Sequence, residues 1–339
     1  MRAPGFWSNP PDAPGLAARL LAPAASIWGL GARLRRAGGA PARAAAPVIC
    51  VGNATAGGAG KTPVVLALLQ ALALRGVAGH ALSRGHGGRL GGRLTGPHRV
   101  DPARDGFRDV GDEPLLLSAF APTWVARDRA AGAAAAIAAG AQVVVMDDGF
   151  QNPSLAKDLS LLVVDAGQGF GNGRLIPAGP LREPVSDALA RADAVVLIGG
   201  DAAAARAMAR HPEIAASGAP VLRARLEPLA TGLDLRGARV VAFAGIGRPE
   251  KFFDTLRAMG AELVATHGFA DHAPYPPALL RRLLAEARAQ GATLATTEKD
   301  AARLPRAFLR EVCVAPVRLR FDDPAALDAL LDRALSDRA

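Results

Sequence analysis

The stretch Ala46-Pro-Val-Ile-Cys-Val-Gly-Asn-Ala-Thr-Ala-Gly-Gly-Ala-Gly-Lys-Thr-Pro63 decides the fold of this chain. Its first half, 46–53, is a continuous apolar run that ends in Gly-Asn, which is typical of a buried parallel strand. A glycine-rich loop follows, and residues 63–74 have the length and composition of a helix. In such an arrangement backbone N–H groups converge on phosphate oxygens, and the start of the helix adds a positive dipole. The sequence therefore predicts a phosphate-binding loop.

The loop predicts a nucleotide site in which each residue type has a chemical reason. Lys61 would reach the β- and γ-phosphates, and the Thr62 hydroxyl can ligate Mg²⁺. Lys61 is one of only four lysines among 40 basic residues, and it stands where the motif requires one. Thr55 departs from the general pattern, which has glycine at the first position. The predicted nucleotide-binding residues are Thr55, Ala56, Gly57, Gly58, Ala59, Gly60, Lys61 and Thr62.

A second apolar run, 142–146, ends at Asp147 and Asp148. A carboxylate at the end of a strand near a phosphate loop can hold Mg²⁺ directly or through water, so both aspartates are candidate metal ligands together with Thr62. The sequence leaves open which aspartate contacts the metal. Thr297-Glu-Lys-Asp300 resembles a guanine-reading motif, but its lysine and aspartate are adjacent, so guanine specificity is not supported.

Outward from these motifs, strand-like and helix-like stretches alternate, which predicts a doubly wound α/β sheet. Further buried strands are predicted at 76–82, 159–165 and 194–198, and an alanine-rich helix at 130–139. Around residue 221 the pattern changes to two-faced strands. We expect a P-loop domain over 46–220 and a two-stranded linker at about 221–228 and 314–321. The linker would enclose a smaller α/β domain at about 236–312, followed by a C-terminal helix or tail, 322–339.

The N-terminal segment, residues 1–45, carries six arginines against one acidic residue. Its apolar stretch 15–34 is interrupted by Arg19 and Pro23, so an amphipathic helix lying in a membrane interface fits better than a spanning helix. A helix packed on the protein's own surface is the alternative. The predicted lipid side consists of Leu20, Leu21, Ile27, Trp28 and Leu30, and the predicted partners of lipid phosphates are Arg33, Arg35 and Arg36.

Composition excludes several classes of protein. The 339 residues are 50% apolar and 21% charged, as in a globular protein. Two cysteines, Cys50 and Cys313, exclude a disulfide-dense scaffold and a four-cysteine zinc site, and they fit a reducing compartment. The net charge of +9 suits nucleic acid, an anionic membrane or an anionic substrate. Because no RNA- or DNA-binding signature is present, nucleic acid is not an expected partner.

Several further motifs occur in a fixed order along the chain. They are Leu82-Ser-Arg84-Gly, Val110-Gly-Asp112-Glu113-Pro, Asp147-Asp-Gly-Phe-Gln151, Pro180-Leu-Arg182-Glu183-Pro, Gly245-Ile-Gly, Phe269-Ala-Asp271-His272 and Thr297-Glu-Lys-Asp300. With the phosphate loop, they make the chain resemble the tetraacyldisaccharide 4′-kinases, the lipid A 4′-kinases, over residues 4–320. Threonine is usual at the first loop position in that family, so Thr55 supports the resemblance.

The resemblance implies a P-loop α/β domain, a two-stranded linker and a smaller α/β domain. It also implies a lipid kinase of Gram-negative lipid A synthesis, peripheral or monotopic at the cytoplasmic face of the inner membrane. Such an enzyme moves the γ-phosphate of ATP to the 4′-hydroxyl of tetraacyldisaccharide 1-phosphate, gives lipid IVA and requires Mg²⁺. No obligate protein partner is implied.

For the chemistry, the resemblance points to Asp112 as the base, paired with His272 from the smaller domain, with Lys61 as the third catalytic residue. A carboxylate can set the tautomer of an imidazole, or the imidazole can orient the carboxylate. Arg182, between two prolines, would be held toward a phosphate or the sugar, with Glu113 and Gln151 as further substrate-binding candidates. Glu113 and Glu183 are also possible partners of Mg²⁺ or of the residues that hold it. The family commonly has histidine where this chain has Asn152, so no role is carried over to that position.

Two other readings remain open from sequence. One is a soluble ATPase-type metallochaperone or small-molecule kinase on the same core, which would stay active without residues 1–36. The other is a non-catalytic, nucleotide-gated membrane adaptor, which would bind ATP without phosphoryl transfer and would have no use for an Asp112–His272 pair.

Overall fold

A computed structural model describes residues 4–36, 38–90, 95–229 and 234–336. Within these ranges the chain forms two β-sheets flanked by helices. The strands are β1 Val48–Gly52, β2 Gly79–Ser83, β3 His98–Arg99, β4 Thr123–Val125, β5 Val143–Asp147, β6 Leu159–Asp165, β7 Ala194–Ile198, β8 Val221–Pro228, β9 Arg239–Ala244, β10 Glu262–Gly268, β11 Thr293–Thr297, β12 Cys313–Ala315 and β13 Val317–Phe321.

Helices cover both faces of the two sheets. A 3₁₀ turn, Gly5–Ser8, precedes the α-helices Leu16–Leu20, Ala22–Arg36, Lys61–Leu74, Phe107–Val110, Asp112–Leu117, Arg129–Ala138, Val185–Leu189, Asp201–Arg210, Glu213–Ala216, Pro249–Ala258, Pro277–Ala289, Glu298–Ala301, Arg306–Leu309 and Pro324–Ser336. Most of the strands and long helices predicted from sequence are confirmed to within three residues, whereas β3 and β4 had no clear sequence signal.

The larger sheet has the order β13-β8-β7-β6-β1-β5-β2-β4-β3 among the described residues. The seven strands from β8 to β4 run parallel, and β13 and β3 are antiparallel at the edges. β1, the first strand of the phosphate-loop motif, lies in the middle, between β5 and β6. Ligands of such sheets bind at the carboxyl ends of the central strands, which is where the loop after β1 lies. We call β1–β8, β13 and their helices the large-sheet unit.

The core of the large-sheet unit explains why its central strands are continuously apolar. β1, β5 and β6 are buried along their whole length, because helices cover both faces of the sheet. The helix Lys61–Leu74 packs Val64, Val65 and Leu68 against one face. The C-terminal helix Pro324–Ser336 joins the same cluster through Leu327, Leu330 and Leu331.

The smaller sheet has the order β10-β9-β11-β12 and is parallel throughout. The helix Pro249–Ala258 buries Phe252, Phe253 and Leu256 on one face, and the helix Pro277–Ala289 buries Leu280 and Leu283 on the other. We call β9–β12 and their helices the small-sheet unit.

The predicted second linker strand, 314–321, is wrong in one respect. Val314 belongs to β12 of the smaller sheet, whereas Val317 begins β13, which pairs antiparallel with β8. Pro316 separates the two strands, because proline lacks the N–H that a continuous ladder needs. β8 also pairs with β7, so the two-stranded ribbon is the edge of the larger sheet.

The N-terminal helices lie on the large-sheet unit and present an apolar face outward. They bury the small residues Ala18, Ala25, Gly29 and Ala32. The exposed side chains are Leu16 73%, Leu20 73%, Ile27 74%, Trp28 40%, Leu30 60% and Leu34 64%. Leu21, predicted on the lipid side, is half-buried. In the part of the chain that the structure describes, no helix is both long enough and apolar enough to cross a bilayer.

One arginine at the basic end of this segment forms ion pairs within the protein. Arg36, predicted to contact lipid phosphates, forms ion pairs with Glu183 and, at 2.7 Å, with Asp187. The Trp28 indole N–H donates to the carbonyl of Arg182 at 3.0 Å. The helix therefore docks on the Pro180–Pro184 segment, and this part of the arginine prediction is wrong because a buried carboxylate captures Arg36.

Candidate active site

The phosphate loop has the geometry that its sequence predicts. Gly60 caps the helix Lys61–Leu74 with a left-handed backbone, φ +91°, and a Cβ there would lie 2.7 Å from Ile198. The loop is braced from the side, since the Ala56 amide donates to the Pro180 carbonyl at 2.7 Å and the Arg182 amide donates to the Ala54 carbonyl at 2.7 Å. Glycine is thus required at position 60, and the 180–182 segment holds the loop through two backbone hydrogen bonds.

Asn53 positions the lysine of the loop, a role that sequence reasoning missed. Its amide nitrogen donates to the Thr55 carbonyl at 2.8 Å, and its oxygen accepts from Lys61 Nζ at 3.1 Å. Asn53 is completely buried and Lys61 nearly so. The Gly-Asn pair that ends the apolar run was the available signal, because a buried amide must find partners.

Asp147 and Asp148 have different environments. Asp148 lies 3.5 Å from Lys61 Nζ and accepts from Arg182 at 2.8 and 3.0 Å. The Asp147 carboxylate is buried, and neither of its oxygens has a hydrogen-bond partner among the described residues. Burial and the nearby Glu113 charge raise the pKa of Asp147 well above its ordinary range. Asp147 is therefore a buried carboxylate without a hydrogen-bond partner among the described residues.

This orphaned carboxylate fits a Mg²⁺ site. Mg²⁺ is usually bound through one or two carboxylates, with waters and substrate phosphates completing its shell. Among the described residues no group of three or more His, Cys, Asp or Glu side chains could hold a metal ion. The protein would then contribute Asp147 and the Thr62 hydroxyl, and a nucleotide would supply the remaining oxygens.

The Arg182 motif is tied to the metal-side carboxylates. Arg182 contacts Asp148 and also lies 3.3 Å from the side-chain oxygen of Gln151. Gln151 in turn donates to the Asn53 carbonyl at 2.8 Å and to Glu183 at 3.0 Å. Glu183, which the sequence suggested as a Mg²⁺ partner, is completely buried and paired with Arg36 and Arg191. It anchors the N-terminal helix instead.

Asp112 and His272 meet across the two units. His272 Nδ1 lies 2.9 Å from Oδ2 and 3.0 Å from Oδ1 of Asp112. Burial opposes ionisation of Asp112, but the His272 hydrogen bond and nearby cationic charges hold its pKa below the ordinary range. The same hydrogen bond raises the pKa of His272. The pair therefore favours a carboxylate next to an imidazolium.

Lys299 gathers the acidic residues around this pair, and it was not among the predicted site residues. Its Nζ lies 3.2 Å from Glu113, 3.4 Å from Asp271 and 4.0 Å from Asp112. Burial alone would lower the pKa of Lys299, but the three neighbouring carboxylates raise it. The scarcity of lysine in the chain and the Thr297–Asp300 motif were the signals that could have identified it.

A buried network in the small-sheet unit supports the histidine segment. Asp300 accepts from the Gly245 amide at 2.9 Å and from the Tyr275 hydroxyl at 2.6 Å. Arg303 pairs with Asp300 and donates to the Ala273 carbonyl at 3.0 Å. Its guanidinium also lies 3.6 Å from Asp112. These contacts fix the loops that flank His272.

Backbone strain marks the same region. Among the described residues, the non-glycine residues with positive φ are Asp148, at +52°, and His272, at +59°. Such conformations cost free energy, and they cluster where function requires a particular side-chain direction. Asn152, by contrast, accepts from the Ser154 amide at 3.0 Å within its own turn.

Replacing Lys299 by alanine should lower kcat by about 10- to 100-fold, because three carboxylates would lose their shared cation and Asp112 would be harder to keep ionised. Steady-state kinetics with fixed nucleotide concentration would measure the effect. Lys299→Arg should recover part of the activity, and Lys157→Ala is the matched control for loss of a lysine elsewhere. An unchanged kcat in Lys299→Ala would contradict this role.

A glycine loop at the carboxyl edge of a parallel sheet, a buried lysine and an orphaned aspartate define a P-loop NTPase-like protein. The sequence profile of the family described as tetraacyldisaccharide-1-P 4′-kinase matches residues 17–336. The chain belongs to this family.

Individual relatives agree with the family profile. The tetraacyldisaccharide 4′-kinase of Dinoroseobacter shibae is 59% identical over 333 residues, which cover 98% of this chain and 97% of the relative. That of Rhodospirillum rubrum is 56% identical over 338 residues, covering 100% and 99%. The fold is similar to a crystal structure of Aquifex aeolicus LpxK, described as an "apo" form in complex with ATP. Its TM-score is 0.71 at 24% identity, covering 94% of this chain and 100% of the other.

Proposed function

We propose that this chain carries out its family's reaction with ATP as the donor. The γ-phosphate moves to the 4′-hydroxyl of tetraacyldisaccharide 1-phosphate, giving lipid IVA in lipid A synthesis. The observation that carries the proposal is the Asp112–His272 pair, 2.9 Å apart, which joins the small-sheet unit to the unit that bears the phosphate loop. A nucleotide-gated adaptor has no need of a base that is assembled between two units.

The phosphate loop and Lys61 supply charge neutralisation. Phosphoryl transfer needs little covalent help from the protein, and most of the rate comes from positioning and electrostatic stabilisation. Residues 55–62 present backbone N–H groups, and Lys61 is already held by Asn53 toward the loop. Asp147 and Thr62 would hold Mg²⁺, which would neutralise charge on the phosphates.

Asp112, with His272, accepts the proton of the acceptor hydroxyl. Asp112 is kept ionised and nearly buried, so its oxygens are poised as acceptors rather than solvated. His272 orients the carboxylate through the 2.9 Å contact of its Nδ1 with Asp112, and Lys299 maintains the local charge balance. Arg182, one-quarter exposed at its side chain, Glu113 and Gln151 are the residues that contact the sugar or its phosphate.

The two units act as two domains. Residues 46–220 form the nucleotide-binding domain, the antiparallel β8–β13 pair is the linker, and β9–β12 form the smaller domain. Asp112 and His272, the proposed catalytic dyad, come from different domains. The dyad is therefore complete only when the two domains approach each other. Closure with the lipid in place would exclude water from the γ-phosphate during transfer.

The N-terminal helices hold the enzyme at the cytoplasmic face of the inner membrane. Their exposed apolar side chains form one face, and the small residues on the other face pack against the protein. Arg19, Arg33 and Arg35 are exposed and can meet anionic headgroups. The same segment contacts Arg182 through Trp28, so the lipid surface and the proposed sugar site are neighbours.

Replacing Leu20, Ile27 and Leu30 together by serine should weaken binding to anionic phospholipid vesicles by about tenfold for each substitution, because each side chain loses its burial in the lipid. Co-sedimentation with phosphatidylglycerol vesicles would measure the change. Leu74→Ser is the matched control, since Leu74 is 91% exposed on a different helix. Equal vesicle binding by the triple variant and wild type would refute the membrane assignment of this face.

The function itself is tested with purified full-length protein, γ-labelled ATP, Mg²⁺ and tetraacyldisaccharide 1-phosphate in detergent. Label in the lipid is the expected result. Label released only as inorganic phosphate would favour the ATPase alternative, and ATP binding with no transfer to any acceptor would favour the adaptor alternative.

A further inference from the structure

A further ionic bridge joins the two units through residues other than the Asp112–His272 pair. Asp165 is the last residue of β6 in the large-sheet unit, and its side chain is nearly buried. Arg248 and Lys251, from the small-sheet unit, both pair with it, Arg248 at 3.2 Å. These residues have no part in the mechanism described above.

The bridge lies beside the phosphate loop. A Cβ on Gly247, the neighbour of Arg248, would be 3.3 Å from the Gly58 amide nitrogen and 3.8 Å from Asp271. The small-sheet unit thus contacts the loop at Gly58, with the His272 segment on one side and Arg248 on the other.

The order of the strands shows on which side of the phosphate loop the bridge lies. The sequence of strand ends across the sheet is β6, β1, β5 and β2, so Asp165 and Asp147 lie on opposite sides of the loop. Asp147 and the dyad mark the acceptor side. In an in-line phosphoryl transfer the leaving group departs on the side away from the acceptor, which is the side of Arg248 and Lys251.

The charges at the bridge do not balance. Two cations share one carboxylate, and both cationic side chains are about one-third exposed, 34% for Arg248 and 38% for Lys251. An anionic ligand that enters next to them can take over one or both partners from Asp165. Guanidinium and ammonium groups are the side chains that recognise phosphate oxygens.

We propose that Arg248 and Lys251 bind the α- and β-phosphates of the nucleotide, leaving Asp165 when the nucleotide enters. They place positive charge on the ADP leaving group from the small-sheet unit. The inference rests on the proposed kinase function and adds a phosphate-binding pair to it. Asp165 holds the pair in place while the site has no nucleotide.

The test is calorimetric binding of ADP, and separately of pyrophosphate, to full-length protein in detergent without lipid acceptor. Arg248→Ala and Lys251→Ala should each raise the Kd of both probes by about tenfold. Asp165→Asn should bind both probes at least as tightly as wild type, because it frees the two cations. Asparagine keeps the oxygen that accepts from the Gly167 amide at 2.8 Å. Arg257→Ala, on the same helix, is the control.

Three results would overturn the proposal. Wild-type affinity in both alanine variants would show that Arg248 and Lys251 do not contact the phosphates. Weaker binding of ADP with unchanged binding of pyrophosphate would show that they contact the nucleoside instead. Equally weakened binding of both probes in Asp165→Asn and in the alanine variants would show that the bridge only holds the two units together. The lipid assay separates this proposal from the kinase function. If the variants change ADP affinity as expected but wild type puts no label into the lipid, only the kinase function is refuted. If wild type labels the lipid but the variants keep wild-type ADP affinity, only the role of Arg248 and Lys251 is refuted.

Discussion

Replacing Lys61 by alanine is expected to reduce phosphoryl transfer by about 1,000-fold or more while the fold persists. The Lys61 amine is the buried cation of the phosphate loop, 3.1 Å from Asn53 and 3.5 Å from Asp148. In the proposed reaction this charge stabilises the transferring phosphoryl group, and preorganised charges of this kind carry large parts of enzymatic rate enhancements. Transfer of label to lipid would measure the loss.

Two controls make the Lys61 result specific. Circular dichroism and the thermal midpoint should stay close to those of wild type, because the helix Lys61–Leu74 is held by its buried leucines and valines rather than by the amine. Lys157→Ala, which removes a lysine that donates to the Asn152 carbonyl at 2.6 Å, should retain activity. Turnover within tenfold of wild type in Lys61→Ala would exclude the P-loop mechanism.

Asp112→Ala and His272→Ala should each lower kcat by about 100- to 10,000-fold, the range for loss of a general base, with ATP binding preserved. The double variant should be little worse than either single variant, because residues that act as a unit give non-additive losses. Single-turnover transfer and nucleotide titration would separate the two effects. Wild-type turnover in either variant would end the dyad hypothesis.

The dyad also predicts a pH-dependent contribution to stability. The pKa of His272 is raised by folding, so its contribution is complete below the pKa of the unfolded histidine, about 6.5, and is lost as pH rises through the raised value. The pKa of Asp112 is lowered, so its contribution is complete above about 3.9 and is lost as pH falls through the lowered value. The difference in thermal midpoint between wild type and His272→Gln should therefore be largest near pH 5–6 and shrink toward alkaline pH. A difference that is constant with pH would contradict this linkage.

The strand and helix around the phosphate loop could be predicted because their sequences are compatible with few other conformations. A continuous apolar run such as 48–52 suits only a buried segment, and glycine at 60 fits a left-handed cap. The prediction for 314–321 failed because a proline in an alternating pattern divides one strand between two sheets. Short elements such as β3 depend on tertiary pairing, which the local sequence does not contain.

The candidate site was predicted only where residues carry a motif. Asp112 and His272 could be paired through the family resemblance. They are 160 positions apart in the sequence, and no local pattern indicates that they are in contact. Lys299 and Asn53 act through contacts that form only after the sheet is assembled. The pairing of Glu183 with Arg36 also has no local signal, because Arg36 comes from a helix 147 positions earlier.

The C-terminal helix has a consequence for the order in which the protein matures. Leu327, Leu330 and Leu331 complete the same core as the helix that follows the phosphate loop, so the large-sheet unit stays unfinished on the ribosome until the helix Pro324–Ser336 emerges. The residues of the small-sheet unit are contiguous and can fold first. Proteolysis of nascent chains should show protection appearing there before it appears around Lys61. A stop codon before Pro324 would thus disable the large-sheet unit, most of which is translated before the small-sheet unit.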